Sequence, residues 1–439
     1  MAQSALKKVT LANVVIYLPP SWQMSEENRY RSLSEISFSN FKEKPWPCFT
    51  KPYDNELLTS WLTRIARNHL VRFYSFCSSN FQGIEFWNRD LDQRQPEDFL
   101  NMIQQRCVLN ELDLQSMLLD SYATKLFLKL KESRPFWITP LNFYWQNRKH
   151  IYGLMVCPSC LKCDGISPYY RKNWRIASTT ICSVCQTELI DACPQCNSSI
   201  NFLLAERGNK FKAPIFPISS CWRCLYNLSE VEAIKASPQM IVTQHVIDRY
   251  ITAGHAQERG LQYSFLFFDV LKKILSLLNK SRVNSLIRLQ EIICAATGTQ
   301  FQLPLDNKLH PFNTLRVERR KNLIQQAFWL LDDWPDRFRS VISVSGLRSK
   351  YFLDDFKDAP YWFRKEIEEN IKLKYFRWRD VHPEYSYSSF REFAQWQVSK
   401  KKKKKKMTIK IEYYCLMRSV IWKHVVSLTR NTCSQIKKS

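Results

Sequence analysis

Apolar positions first recur at helical spacing in residues 45–70, PWPCFTKPYDNELLTSWLTRIARNHL. Leu57, Leu58, Trp61, Leu62 and Ile65 fall on one stripe of a helix that Asp54 or Asn55 can cap, with Arg64 and Arg67 elsewhere on its surface. Residues 1–44 are polar and aperiodic and read as a loosely held leader. A shorter helical pair comes next. Pro96 opens its first member, with Glu97 and Asp98 in the first turn and Phe99, Met102 and Ile103 apolar; Asp113 is the expected cap of the second, ahead of Leu114, Met117, Leu118 and Tyr122. Two short helices on a short link fit a helix-turn-helix and equally an ordinary helical hairpin. The second lacks Arg and Lys until Lys125, which weighs against major-groove reading.

Helical periodicity returns beyond residue 224 and persists to about residue 400, in SEVEAIKAS, VTQHVIDRYITAG, LQYSFLFFDVLKKILSLLNK, SLIRLQEIICAATG and KNLIQQAFWLLDDW. The Trp334/Pro335 step and Pro360 break it into short elements, and Phe328, Trp329, Trp334, Phe338, Trp362 and Phe363 sit at core spacings. The most apolar run, residues 263–278, is too short for a bilayer and carries Asp269, Lys272 and Lys273, so it reads as a core helix of a protein without membrane contact.

Between these helical parts the pattern changes to cysteines. Eight of the fifteen form four Cys-x-x-Cys pairs: Cys157/Cys160, Cys182/Cys185, Cys193/Cys196 and Cys221/Cys224. A two-residue gap lets both sulfurs meet one metal, and spacers of 21 and 24 residues return a partner pair. The expectation is two four-cysteine zinc sites, two zinc ions per chain, closed and structural. A disulfide framework would want a secretory signal, and the opening residues lack a hydrophobic stretch of useful length. A thioredoxin-type centre would want one reactive pair and not four in tandem. Cys163 follows Cys160 at the same spacing and leaves a second register open, Cys160/Cys163. Cys48, Cys77, Cys107, Cys294, Cys415 and Cys433 read as isolated small side chains.

The first cysteine spacer contains PYYRKNWRI, where rings and cations alternate. Tyr170 and Trp174 read as the miniature core that a small metal module needs; Arg171, Lys172 and Arg175 are candidate phosphate or base contacts, as are Arg64 and Arg67. The net charge of +25 favours a polyanionic partner, but almost half of it lies in residues 400–439, where thirteen Lys/Arg face the single acid Glu412. Lys400 to Lys406 are consecutive, so Lys401, Lys402 and Lys403 are candidate nonspecific nucleic-acid contacts. Residues 409–430 can be read as a basic amphipathic helix. Slippage on an adenine-rich coding tract, appending residues unrelated to the fold, is the other reading of this tail.

Several enzyme classes are disfavoured. With eight glycines and neither GxGxxG nor GxxxxGK[ST], phosphate loops are absent, and the seven histidines form no HExxH. Asp332, Asp333 and Asp336 could be imagined as part of a carboxylate metal site, but beside a Trp-Pro helix end they read as a solvated acidic turn.

KPWPCFTKPYDNELLTSWLTRIARNHL, CPSCL at 157–161, PYYRKNWRI, the pair at Cys182 and TELIDACPQC at 187–196 occur in an order that resembles the TniQ/TnsD family of transposon target-selection proteins. The resemblance covers about residues 45–230. It favours Cys157/Cys160, because the family's first pair is Cys-Pro-x-Cys; where the family usually has Cys-x-x-His, this chain has Cys182-x-x-Cys185, which keeps a tetrahedral ligand. It implies a mainly α fold, with a helix-turn-helix-like N-terminal part and a helical C-terminal part around two central zinc-ribbon modules. The expected segments are a leader (1–44), an N-terminal helical domain (45–150), tandem zinc modules (151–230), a C-terminal helical domain (231–399) and a basic tail (400–439). The implied role is non-enzymatic: binding double-stranded DNA directly or a DNA-bound CRISPR effector complex, and recruiting an AAA+ transposition ATPase with its transposase, in the bacterial cytoplasm, with a homodimer allowed. A zinc-ribbon RNA-binding protein is the alternative.

Overall fold

The computed structural model describes residues 7–11, 14–18, 46–84, 86, 89–128, 136–141, 152–207, 217–280, 283–301 and 310–371. The chain divides into Met1–Lys372 and Leu373–Ser439; the second unit, with Lys401, Lys402, Lys403, Cys415 and Cys433, lies outside the described residues. Within the segment expected to be aperiodic, β1 (Lys7–Leu11) and β2 (Val14–Leu18) pair antiparallel. Their Val9, Thr10, Val14, Val15 and Ile16 are β-branched, a local preference that the polar average of residues 1–44 conceals.

Helix α1 (Leu58–Asn68) buries the expected stripe: Leu58, Trp61, Leu62 and Ile65 are all inaccessible. Its cap differs from expectation. Leu57 occupies the cap position without a side-chain bond. The carboxylate of Asp92 arrives from 33 residues away to accept from Thr59 N at 2.8 Å and Thr59 Oγ1 at 2.7 Å. Neither Asp54 nor Asn55 is needed once a distant carboxylate meets the orphan amide. Helix α2 (Phe73–Asn80) packs on α1 around Trp46, whose ring lies 5.1 Å from Phe76 and 6.2 Å from Trp61.

The expected short pair is α3 (Phe99–Gln104) and α4 (Glu111–Ser116), six residues each. Asn110, not Asp113, caps α4; Asp113 is the reciprocal member of a capping box, accepting from Asn110 N while Asn110 Oδ1 accepts from Asp113 N.

The cysteine region contributes α5 (Pro158–Cys163), the two-residue strands β3 (Ile181–Cys182) and β4 (Thr187–Glu188), and α6 (Phe202–Arg207). Among the described residues β1–β2 and β3–β4 are the only sheets, so the fold is mainly helical.

SEVEAIKAS does not form a helix. Leu228–Glu230 make a 3-10 turn, after which Glu188 N donates to Ile234 O, Ala236 N donates to Gln186 O, and Lys235 bridges to Thr187. Pairing with β4 overrides a weak helical period, and Ser237-Pro238 then starts α7 (Pro238–Ala253), with Ser237 Oγ accepting from Met240 N.

The remaining helices fall where the periodicity places them: α8 (Phe265–Leu278), α9 (Asn284–Thr297), α10 (Val317–Asp332), α11 (Asp336–Ser345), α12 (Lys350–Leu353) and α13 (Tyr361–Asn370). Helix α10 lies against α8, α9 and α11. Phe338, Phe352 and Phe363 are fully buried beneath Trp334 and Trp362, whereas Asp332, Asp333 and Asp336 are exposed. No helix among the described residues is long and apolar enough to cross a membrane. One buried cluster runs from Trp46 to Ile371, so the N-terminal helices, the cysteine region and the C-terminal helices share a core.

Candidate metal centre and the surfaces it joins

Three of the four cysteine pairs end in the same local turn. Gln186, Asn197 and Leu225, each directly after the second cysteine, have φ of 54°, 51° and 65°. Their amides return to the carbonyls of Cys182, Cys193 and Cys221 at 2.7, 2.8 and 2.9 Å. This left-handed step folds the two sulfurs of a pair to one side. The first pair uses a helix instead: Cys157 caps α5, Pro158 occupies the first helical position, and Cys157 Sγ accepts from Cys160 N at 3.4 Å.

The pairs then meet as the spacers require. Cys157, Cys160, Cys182 and Cys185 form one group and Cys193, Cys196, Cys221 and Cys224 another, with the sulfurs of each group within 4.8 Å of one another. The sulfurs are 3.5 Å apart in Cys160–Cys182 and Cys160–Cys185, and 3.6 Å apart in Cys193–Cys224 and Cys196–Cys221. A tetrahedron with metal–sulfur bonds of about 2.3 Å has edges near 3.8 Å, so both groups could hold a metal ion. Cys163 is exposed and stands outside the first group, whose sulfurs come from Cys157, Cys160, Cys182 and Cys185. Crowded thiols also divide their protons unevenly: hydrogen bonding from Cys160 and then Cys182 pulls Cys157 down to about 2, while its bond to Cys157 drives Cys160 upward. The first group is the more enclosed; in the second, Cys224 is exposed.

The basic, aromatic run is built into the seam between this centre and α1. Leu57 N donates to Tyr170 O at 3.0 Å, Lys172 N to Asn55 O at 2.6 Å, and Tyr170 N to Ser60 Oγ at 2.9 Å. Tyr170 and Trp174 are buried edge to face at 5.9 Å, as a miniature core requires, and Tyr170 also meets Phe202 at 4.4 Å.

The cations around them face inward, and this corrects the nucleic-acid reading of Arg64 and Arg175. Arg64 is buried and gives both Nε (2.8 Å) and Nη2 (2.7 Å) to the fully buried Glu56. Arg175 is wholly inaccessible, reaching Asp90 at 2.5 Å, Asp92 at 3.4 Å and Thr139 O at 2.7 Å. A guanidinium that is enclosed and neutralised offers nothing to a phosphate. Arg171 is committed to a two-bond pair with Asp164 (2.8 and 3.0 Å) between the rings of Tyr169 and Trp174. Lys172 donates to Ser116 O and, at 2.7 Å, to Ser121 Oγ. Arg67 is half-buried on α1.

The other side of the centre carries contacts that periodicity could not show. Asp191, two residues before Cys193 and almost fully buried, accepts from Arg316 Nε at 2.9 Å and from Val317 N at 2.7 Å, and so caps α10. Lys321 pairs with Glu188 at 2.6 Å, and the inaccessible Arg320 donates to Ala177 O at 2.9 Å. Val156 and Ile190 exchange two backbone bonds of 3.0 Å, which ties the first pair to the strand leading into the third.

Two comparisons bear on this arrangement. The Meiotically up-regulated gene 61 protein of Schizosaccharomyces pombe is 29% identical over 86 residues, a stretch that is 18% of this chain and 10% of that protein. The chain thus matches about a tenth of that relative's length. The family model for TniQ matches residues 47–189, from the lead into α1 through the completed first cysteine group to β4. The matched segment contains both sides of the α1 seam and every ligand candidate of the first group, so it is over residues 47–189 that this chain is similar to the TniQ family.

Proposed function

We propose that the chain is a non-catalytic target-site selector in DNA transposition. The observation that carries this reading is the TniQ match over residues 47–189, a segment that contains α1 and all four cysteines of the first group. In this reading Cys157, Cys160, Cys182 and Cys185 hold one zinc ion and Cys193, Cys196, Cys221 and Cys224 a second. Zinc at such sites supplies four fixed metal–thiolate bonds and leaves no open position for substrate. The protein's own residues present surfaces: one toward double-stranded DNA or a DNA-bound CRISPR effector complex, another toward an AAA+ ATPase that brings the transposase. Helix α4 has Glu111 and Asp113 in its first turn and no Lys or Arg, so it would meet a phosphate backbone with like charge, and DNA contact falls to other surfaces. Cytoplasmic residence fits this role.

The experiment is a footprint on target DNA with the full-length protein alone and with its neighbouring transposition components. Protection of one common site by the protein alone supports direct selection; protection only beside a guide complex supports the adaptor mode. Protection in neither case, or preferential binding of RNA at matched salt, removes the reading.

A further inference from the structure

Helix α8 and the residues just after it bring three lysines to one cavity. Lys272 and Lys273 lie in its C-terminal half and Lys280 just beyond it, and all three line a cavity of about 360 Å3 with Asp269, Asp355 and Phe136. Lys273 is buried, only 8% exposed, yet its ammonium is at the cavity wall, bonded to Asp355. Lys280 Nζ sits 3.6 Å from the other oxygen of the same carboxylate. Lys272 faces Asp269 and lies 5.5 Å from the Phe136 ring, which is stacked on Phe312 at 5.1 Å. Asp354 and Asp358 stand nearby without lining the cavity. Among the lining residues, three ammoniums thus face two carboxylates in a concave site.

The two halves of the Lys273–Asp355 pair differ in freedom. Lys273 is held in the core face of α8, where removal from water makes its charge costly. Asp355 follows α12, and its side chain is 63% exposed, so it can turn into solvent without unpacking anything. A fixed, partly desolvated ammonium beside a displaceable carboxylate is a site built for exchange of one anion for another.

The geometry points to a phosphate-ester site in which Lys273 and Lys280, with Lys272 beside them, take one phosphoryl group in place of Asp355. A single phosphodiester carries the same one negative charge as the carboxylate it displaces, and the Phe136 ring offers an apolar wall beside it. Where that group belongs to the backbone of duplex DNA, the inference rests on the target-selector reading. A free nucleotide brings the same chemistry.

Fluorescence anisotropy with a short labelled duplex, over a series of salt concentrations, tests this on the full-length protein, with a parallel titration of ATP. Lys280→Gln, at an exposed position, is expected to weaken duplex binding about 3–10-fold and to reduce the slope of log affinity against log salt by about 1. Asp355→Asn should tighten binding several-fold, a direction that a folding defect cannot produce. Lys162→Gln on the exposed face of α5 removes the same charge elsewhere and should leave the slope nearly intact. Duplex binding by the wild type that neither Lys280→Gln nor Asp355→Asn alters overturns the phosphate site and leaves target selection standing. ATP binding that responds to the same two variants, without duplex binding, keeps the site, assigns it to a free nucleotide and counts against target selection. Absence of both ligands overturns the site.

Discussion

Glu56 accepts four hydrogen bonds inside the α1 seam: from Tyr53 N at 2.9 Å, Ser60 Oγ at 3.0 Å, and Arg64 Nε and Nη2 at 2.8 and 2.7 Å. With both oxygens occupied, the carboxylate tolerates burial only while its guanidinium is present. Arg64→Ala would leave an enclosed, unpaired charge, and the expected loss of unfolding free energy is about 3–5 kcal/mol by urea denaturation. A loss below about 1 kcal/mol would place Arg64 at the surface and restore it as a nucleic-acid contact. Lys172 offers a pH readout of the same seam. Burial, with Lys125 adding repulsion, pushes its ammonium down to about 8, so the folded state favours the neutral amine. Between pH 8 and the ordinary lysine range the unfolded chain binds more protons than the folded one, and stability contributed at this residue rises with pH. The stability difference between wild type and Lys172→Met should therefore move toward the wild type between pH 7 and pH 10; a flat difference contradicts the buried placement.

Elements show where the chain's own pattern is readable and where it is not. The stripe Leu57 to Ile65 and the long C-terminal helices are legible because apolar spacing reports burial directly. The cap of α1 is not, since its acceptor Asp92 is brought near only by folding. Residues 231–237 carry a short helical period that pairing with β4 outweighs, and no local signal announces that partner. The cysteine groups are legible through spacing, while the use of Asp191 as the cap of α10 leaves no trace in the local pattern. That cap makes α10 depend on the cysteine region. Chelation of the metal should release not only residues 181–196 but also the first turn of α10, seen as faster amide exchange at Val317 and its neighbours, with α9 retaining more protection. Unchanged exchange at Val317 after complete metal removal would show that Asp191 is held without the metal.

For the whole molecule, charge is a poorer guide than cysteine spacing. Basic residues in PYYRKNWRI suggest a nucleic-acid surface, yet the run is the seam that fixes α1 against the first cysteine group, and the guanidiniums there are matched to Glu56, Asp90, Asp92 and Asp164. The N-terminal helices, the cysteine region and the C-terminal helices share one core, so a surface on one part is held by the others. This arrangement predicts that two metal ions hold the chain's folded core together. Native mass spectrometry of the full-length protein, purified without added metal, tests that most directly. Two zinc ions per chain are expected, falling to one in Cys182→Ser/Cys185→Ser through loss of the first site and to one in Cys221→Ser/Cys224→Ser through loss of the second. A folded wild-type protein carrying no zinc, or one whose zinc content neither double variant changes, would contradict the two-metal scaffold.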